Sequence, residues 1–82
     1  MTDTTALLLK GFTDLDMSAF ALRLVAARKT AGLTQEQAAW RANLSRPHYA
    51  TIEAGRAVGL RVQTLYRLCQ VLRCSADQLL GP

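Results

Sequence analysis

Apolar side chains recur every three or four residues along most of the 82-residue chain, which is the spacing of an amphipathic helix. The first regular run, Met17 to Ala31, places four of them on one inward face: Phe20, Leu24, Ala27 and Ala31. Asp16 or Ser18 can cap the start of this helix, and Gly32 suits the left-handed position just beyond its end. The pattern therefore predicts a first helix over about residues 17–31.

Two short helices joined by a tight turn are predicted within Leu33 to Gly55. Thr34 and Gln37 have the spacing of a capping box, which predicts a second helix over about Gln35 to Ala42. Its inward side chains are small, so that another helix can approach closely: Ala38 and Ala39. Asn43 suits the left-handed conformation that would end this helix.

The third helix is predicted to begin at Ser45, a capping residue, and to span about residues 45–54. Pro47 fits its first turn, because the amides there have no acceptor within the helix. Tyr49 and Ile52, three residues apart, are expected to face the core. The residues left for solvent or a ligand are Arg46, Pro47, His48, Ala50 and Thr51.

Two more helices complete an all-α pattern. Residues 55–61 form a loop, and Val62 to Leu72 carries an apolar stripe of four residues: Leu65, Leu68, Cys69 and Leu72. Ser75 is placed to cap a last helix over Ala76 to Leu80. We therefore expect one compact five-helix domain over residues 17–82. An extra helical turn in front of this domain is an alternative that the sequence leaves open.

Residues 1–16 form a separate N-terminal segment with an apolar run, ALLLKGF, over residues 6–12. Because an exposed apolar run usually has a partner, the segment is predicted to pack on the domain, to exchange with a second subunit, or to bind another protein. Trp40 lies outside the inward stripe of the second helix. It is predicted to be half-buried on the flank of the domain, unless residues 1–16 or a partner cover it.

The positive charge is concentrated in the predicted domain. Residues 17–82 contain nine Arg and Lys against three Asp and Glu, a balance of +6, whereas residues 1–16 contain one Lys against three Asp, a balance of −2. A basic domain attracts polyanions such as nucleic acid. No apolar window reaches the roughly 18 residues of a membrane span, and the N-terminal run is too short for a signal peptide, so we expect a cytoplasmic protein without membrane contact.

Neither a metal site nor an enzyme active site is predicted. Cys69, Cys74 and His48 have no known ligand spacing, and both cysteines are interpreted as reduced, part-buried apolar residues. The sequence has no glycine-rich phosphate loop and no residues in the pattern of a catalytic triad. We therefore expect no cofactor and no catalysis.

Several short motifs occur together in a fixed order. They are Arg28 before a GLTQ step (Gly32 to Gln35), Ala39 behind Gln35, Leu44-Ser45 before the third helix, Ile52-Glu53-x-Gly55 at its end, and Thr64-Leu65-x-x-Leu68 in the fourth helix. Each motif is common by chance. The ordered set, over about residues 17–80, resembles the lambda-repressor-like helix-turn-helix family, which includes Cro, phage repressors and XRE-type regulators.

The resemblance implies that the third helix is a recognition helix, which enters the DNA major groove where all four base pairs are distinguishable. Arg46 is expected to contact guanine, Thr51 a base edge or a thymine methyl group, and Pro47 to offer apolar contact alone. Gln35 is expected to contact phosphate and to brace the recognition helix. The full predicted DNA-binding set is Thr34, Gln35, Ser45, Arg46, Pro47, His48, Thr51, Arg56 and Arg61.

The resemblance also assigns Arg28 and Glu53 to a buried, structural ion pair between the first and third helices. It implies a bacterial or phage transcriptional regulator, a repressor that binds a palindromic double-stranded DNA operator as a homodimer. The dimer contacts are expected from Leu79, Leu80 and other surfaces of the last two helices. Two alternatives stay open: an antitoxin or other partner-controlled regulator that binds a protein through residues 1–16, and a restriction–modification controller.

Overall fold

A computed structural model describes residues 16–81 as five helices joined by short turns and one longer loop. The helices are α1 (Met17–Thr30), α2 (Gln35–Arg41), α3 (Arg46–Glu53), α4 (Val62–Leu72) and α5 (Ala76–Leu80). Residues 16–81 contain no strand, which confirms the predicted all-α fold. None of the helices there is long and apolar enough to cross a membrane. The predicted extra turn and the arm of residues 1–15 lie outside the described residues.

Side-chain caps begin four of these helices. The capping residues are Asp16, Thr34, Ser45 and Ser75. The carboxylate of Asp16 accepts from the amide of Ser18 at 3.0 Å, which settles the choice between the two predicted caps. The hydroxyl of Thr34 accepts from the amide of Gln37 at 3.1 Å, and the amide side chain of Gln37 accepts in return, as predicted. Within this part of the chain α4 differs, because Arg61 at its start makes no capping bond.

A left-handed residue follows the end of four helices. These residues are Gly32, Asn43, Gly55 and Arg73, with φ between 54° and 73°. In each case the next amide donates to the carbonyl five residues back, as from Leu44 to Ala39 at 2.8 Å. The predictions for Gly32 and Asn43 are confirmed. The left-handed conformation of Arg73 could not be predicted from the sequence. A residue with a Cβ adopts it only at a conformational cost of about 1–3 kcal/mol.

The core draws its large side chains from four of the five helices. The largest fully buried ones are Phe20, Leu24, Tyr49, Ile52, Leu68 and Leu79. The second helix contributes small residues instead, and they are buried as predicted: Ala38 and Ala39. The pair α2–α3 is therefore held on two sides, by α1 against α3 and by α4 against α2.

Three predicted placements are wrong. Ala31 is exposed, because α1 ends at Thr30 and Ala31 is already its C-cap. Trp40 is 80 % exposed instead of half-buried, since nothing within residues 16–81 covers it. Leu79 is completely buried in the core, where α5 packs on α1, and so it has no surface to offer a second subunit.

Cys69 and Cys74 are half-buried, as predicted, and both are free thiols. Burial raises the pKa of each thiol above its ordinary value. Both are therefore mainly protonated at neutral pH, where the thiolate is the reactive form. This agrees with their interpretation as apolar filling residues.

Candidate nucleic-acid interface

The helix-turn-helix unit consists of α2, the turn after it and α3. Ala38 and Ala39 let the two helices approach closely, and Tyr49 and Ile52 fasten α3 to the core. The turn is tight because Asn43 adopts φ 59°, which Asn tolerates better than most residues. The inner side of this unit packs on the core. Its outer side is exposed to solvent within the described part of the chain.

The outward face of α3 begins at its first turn. Its exposed side chains are Arg46, Pro47, His48 and Thr51, all of which the sequence predicted as DNA contacts. The Ser45 hydroxyl is also exposed but accepts from the amide of His48 at 3.2 Å, so it already serves as the helix cap. The Thr51 hydroxyl donates to the carbonyl of Pro47 at 2.9 Å. Arg46 has no hydrogen-bond or ion-pair partner within residues 16–81 and can reach a ligand.

A charged network ties α1, α2 and α3 together behind this face. Arg28 donates to both carboxylate oxygens of Glu53, at 2.6 and 3.2 Å, and to the carbonyl of Leu33 at 2.9 Å. The side chains of Arg28 and Glu53 are 13 % and 3 % exposed, so this is the predicted buried pair. Gln35 donates to Glu53 at 2.9 Å, which is the bracing contact expected of it.

The network keeps its charges at physiological pH. Burial alone raises the pKa of Glu53, but the hydrogen bonds that its carboxylate accepts, the strongest of them from Arg28, together with the charge of Arg28 outweigh this effect, so the pKa lies below its ordinary value of 4.5. The hydrogen bond to Glu53 raises the pKa of Arg28. Burial also raises the pKa of the neighbouring Tyr49 hydroxyl, which has no hydrogen-bond partner among the described residues. The pair is therefore ionised while Tyr49 stays neutral.

An open groove of about 680 Å³ lies beside α3, between the turn and the start of α4. His48 and Arg61, both predicted DNA contacts, meet there. The groove also contains three polar or basic residues that were not among the predicted DNA contacts: Gln63, Thr64 and Arg67. Residues 63 and 64 lie four and three positions before 67, so helical spacing could have placed them on one face of α4.

The other predicted contacts are not gathered at this groove. Thr34 is exposed at the start of α2, and Arg56 is exposed after the far end of α3. The eight residues of α3 span about 12 Å at 1.5 Å per residue. Arg46 lies at the beginning of this helix and Arg56 just beyond its end. Among residues 16–81 no group of three or more His, Cys, Asp or Glu side chains could hold a metal ion.

The sequence on both sides of α3 is rich in positive charge. Between residues 37 and 76 the sequence has one acidic residue, Glu53, and Arg28 neutralises it in the interior. The same stretch contains six arginines: Arg41, Arg46, Arg56, Arg61, Arg67 and Arg73. A segment of this charge is complementary to the phosphates of a nucleic acid.

The comparisons with known proteins agree with this geometry. No curated protein matches the chain. A family model described as a helix-turn-helix domain matches residues 19–80, from the second residue after the start of α1 to the end of α5. The matched part contains α2, the turn, α3 and every member of the charged network. The chain therefore belongs to the helix-turn-helix domain family, in keeping with its likeness to the lambda-repressor-like proteins.

Proposed function

We propose that this helix-turn-helix protein is a transcriptional regulator, a repressor that binds a palindromic DNA operator as a homodimer. The observation that carries the proposal is the outward face of α3, where Arg46 is exposed and unpaired within residues 16–81, on a helix whose one carboxylate, Glu53, is paired with Arg28. A helix of this kind fits the major groove, and an arginine there can contact O6 and N7 of guanine with two hydrogen bonds.

Phosphate contacts would come from both sides of α3. The groove beside it supplies Arg61 and Arg67, and the start of α2 supplies Thr34 and Gln35. Such contacts fix the position of a protein on DNA without reading sequence. Gln35 also donates a hydrogen bond to Glu53 at the end of the recognition helix. A phosphate bound at Gln35 would therefore contact a residue that positions this helix.

Of the surfaces predicted for the dimer contact, we choose that of α4, because Leu79 is buried. Val62 and Tyr66, four residues apart on one face of α4, are 80 % and 67 % exposed, and Val58 in the preceding loop is fully exposed. Large apolar side chains grouped in this way mark interaction surfaces. Two subunits related by a twofold axis would set two α3 helices on half-sites about 10–10.5 base pairs apart.

The test is selection of bound duplexes from a random DNA pool by the full chain, at low and at raised salt. A palindromic consensus with half-sites about one helical turn apart is expected, and affinity should fall steeply as salt rises. A pool that shows no enrichment even at low salt would overturn the proposal. Enrichment of a single, asymmetric half-site would overturn the homodimer but keep DNA binding.

A second candidate is a regulator controlled by a protein partner, such as an antitoxin. It is favoured by the exposure of Trp40 on α2 and Leu22 on α1, which are large apolar side chains with 80 % and 74 % of their surface exposed. Removal of residues 1–15 keeps Asp16 as the cap of α1 and separates the two ideas. If the shortened chain still dimerises and binds the selected DNA, residues 1–15 serve a partner or another purpose, and dimerisation does not need them.

A further inference from the structure

The two cysteines of the sequence, Cys69 and Cys74, lie on either side of the turn that closes α4. Arg73 adopts the left-handed conformation with φ 54° and so turns the chain back on the end of the helix. The amide of Cys74 donates to the carbonyl of Cys69 at 3.0 Å, and the amide of Arg73 donates to the carbonyl of Gln70 at 3.4 Å. These are the two hydrogen bonds of a Schellman motif.

This motif brings the two thiol side chains together. Its first and last residues commonly contact each other through their side chains, and here both are cysteines. The 3.0 Å hydrogen bond between their backbones keeps the Cα atoms of Cys69 and Cys74 within about 7 Å of each other. Burial raises the pKa of both thiols, and each thiol also shifts the pKa of the other, in agreement with two neighbouring sulfur atoms.

Both cysteines are accessible from solvent. They line a surface groove of about 460 Å³, together with Arg73 and the polar side chains of Gln70 and Gln78. Arg73 is exposed and has no ion-pair partner within residues 16–81. A cation could therefore reach the two sulfur atoms while the core stays closed, and a positive side chain lies beside them.

A site with two thiols and no third ligand selects among metal ions. Structural zinc takes four ligands, and residues 16–81 contain no group of three or more His, Cys, Asp or Glu side chains suited to a metal ion. The lack of a known ligand spacing in the sequence excludes sites of that kind. Monovalent copper is different, because it is satisfied by two sulfur ligands and prefers soft thiolates.

Binding of this ion exchanges protons for metal without any change of oxidation state. The S–H bond of each cysteine breaks, both protons pass to solvent, and each sulfur forms one bond to the copper ion. Two thiolates and one monovalent cation carry a net charge of −1, which the guanidinium of Arg73 can offset. Until the metal arrives, burial keeps the thiols protonated, and the protonated form is the less reactive one.

We propose that Cys69 and Cys74 form a two-coordinate binding site for monovalent copper at the end of α4, with Arg73 compensating its charge. The site is distinct from the candidate DNA interface. The groove beside α3 lies at the start of α4, and the 11 residues of this helix span about 16 Å. The inference therefore stands or falls separately from the proposed function.

The test is an anaerobic titration of the reduced full chain with monovalent copper, in competition with the chromogenic chelator bicinchoninate. X-ray absorption of the copper-loaded parent counts the sulfur neighbours of the metal. Cys69→Ser and Cys74→Ser each leave one thiol, and Arg73→Gly removes the charge while glycine accepts the left-handed conformation. Circular dichroism checks that the three variants fold.

The parent should bind one copper ion per chain, with two sulfur neighbours. Because two protons are released, its affinity should rise by about 100-fold for each pH unit below the thiol pKa values. Each serine variant should lose at least about 100-fold in affinity. Arg73→Gly should unfold at a higher temperature than the parent and yet bind copper several-fold more weakly, which separates the charge of Arg73 from its effect on stability.

The inference is overturned if the parent cannot compete with the chelator, or if either serine variant binds as tightly as the parent, since the metal would then be an adventitious ion only. Nitrogen or oxygen neighbours in place of the second sulfur would overturn it too. So would a copper ion that joins one cysteine from each of two chains, which sedimentation velocity with and without copper detects. None of these results bears on DNA binding, which the selection experiment tests.

Discussion

The guanidinium of Arg28 holds the carboxylate of Glu53 through two hydrogen bonds, of 2.6 and 3.2 Å, and so ties α1 to the last residue of α3. The pair is nearly enclosed, with 13 % and 3 % of the side chains exposed. A buried pair of this kind adds little net stability compared with apolar residues, but removal of one partner strands the other charge in the interior. The pair therefore fixes the position of α3 against α1.

Arg28→Ala should therefore destabilise the protein by about 3–5 kcal/mol, because Glu53 would remain buried without its cation. Urea unfolding followed by circular dichroism measures this loss. Lys29→Ala is the matched control, since Lys29 is the exposed neighbour on the same helix and should change stability by no more than about 0.5 kcal/mol. Equal stability of the two variants would contradict a structural role for the pair.

The stability of the fold should also depend on pH through Glu53. Its pKa is lower in the folded protein than the ordinary value of 4.5, so the unfolded chain binds more protons at acidic pH. The contribution of Glu53 is complete above pH 4.5 and is lost as the pH falls through the lowered folded pKa. Urea unfolding at several pH values measures this effect.

Glu53→Gln is the reference for that titration, because it removes the titrating group and leaves the other carboxylates in place. The difference in unfolding free energy between parent and Glu53→Gln should shrink as the pH falls below 4.5. A difference that stays constant from neutral pH to strongly acidic pH would show that Glu53 does not carry the dependence.

Gly55 should be less replaceable than Gly32, although both have φ 73°. A Cβ at Gly32 would meet no atom within 4 Å, whereas one at Gly55 would lie 3.3 Å from Cα of Ser18 and 3.5 Å from the carbonyl oxygen of Met17. Gly32→Ala should cost about 1–2 kcal/mol from the backbone conformation alone. Gly55→Ala should cost more, because α1 would have to move away from the end of α3. If urea unfolding showed the same loss of stability for both variants, the close approach between Gly55 and α1 would contribute nothing to the difference.

Tyr66→Asp should weaken the dimer, because it places a charge in the apolar face of α4 that we assign to the subunit contact. Sedimentation velocity at several protein concentrations measures the dimer constant. Trp40→Asp is the control, since Trp40 is even more exposed but lies on α2. A shift to monomer in Trp40→Asp and none in Tyr66→Asp would move the dimer contact to the other surface.

Local chemistry made much of the fold predictable. Caps such as Thr34 and Ser45, and left-handed ends such as Gly32 and Asn43, depend on residues next to each other in the sequence. The inward residues of α3 follow from a single helical period. The five helices and the outward face of α3 could therefore be predicted without knowledge of the packing.

What escaped prediction depends on contacts between elements distant in the sequence. The groove with Arg67 exists because the loop after α3 brings the start of α4 beside His48, and no local pattern encodes that approach. Leu79 lies in a helix of five residues, too short for a period to show which face is buried. Its burial follows from the packing of α5 on α1.

We propose that α3 reads DNA sequence and that α2 holds it in position. The most direct test repeats the selection from a random duplex pool with Arg46→Ala and with Gln35→Ala. In Arg46→Ala the preference should disappear at one symmetric base pair and persist at the others, at a cost of about 1–3 kcal/mol for the original operator. In Gln35→Ala the consensus should stay the same while all sites bind more weakly. An unchanged consensus and affinity in Arg46→Ala would contradict the claim that this helix reads the operator.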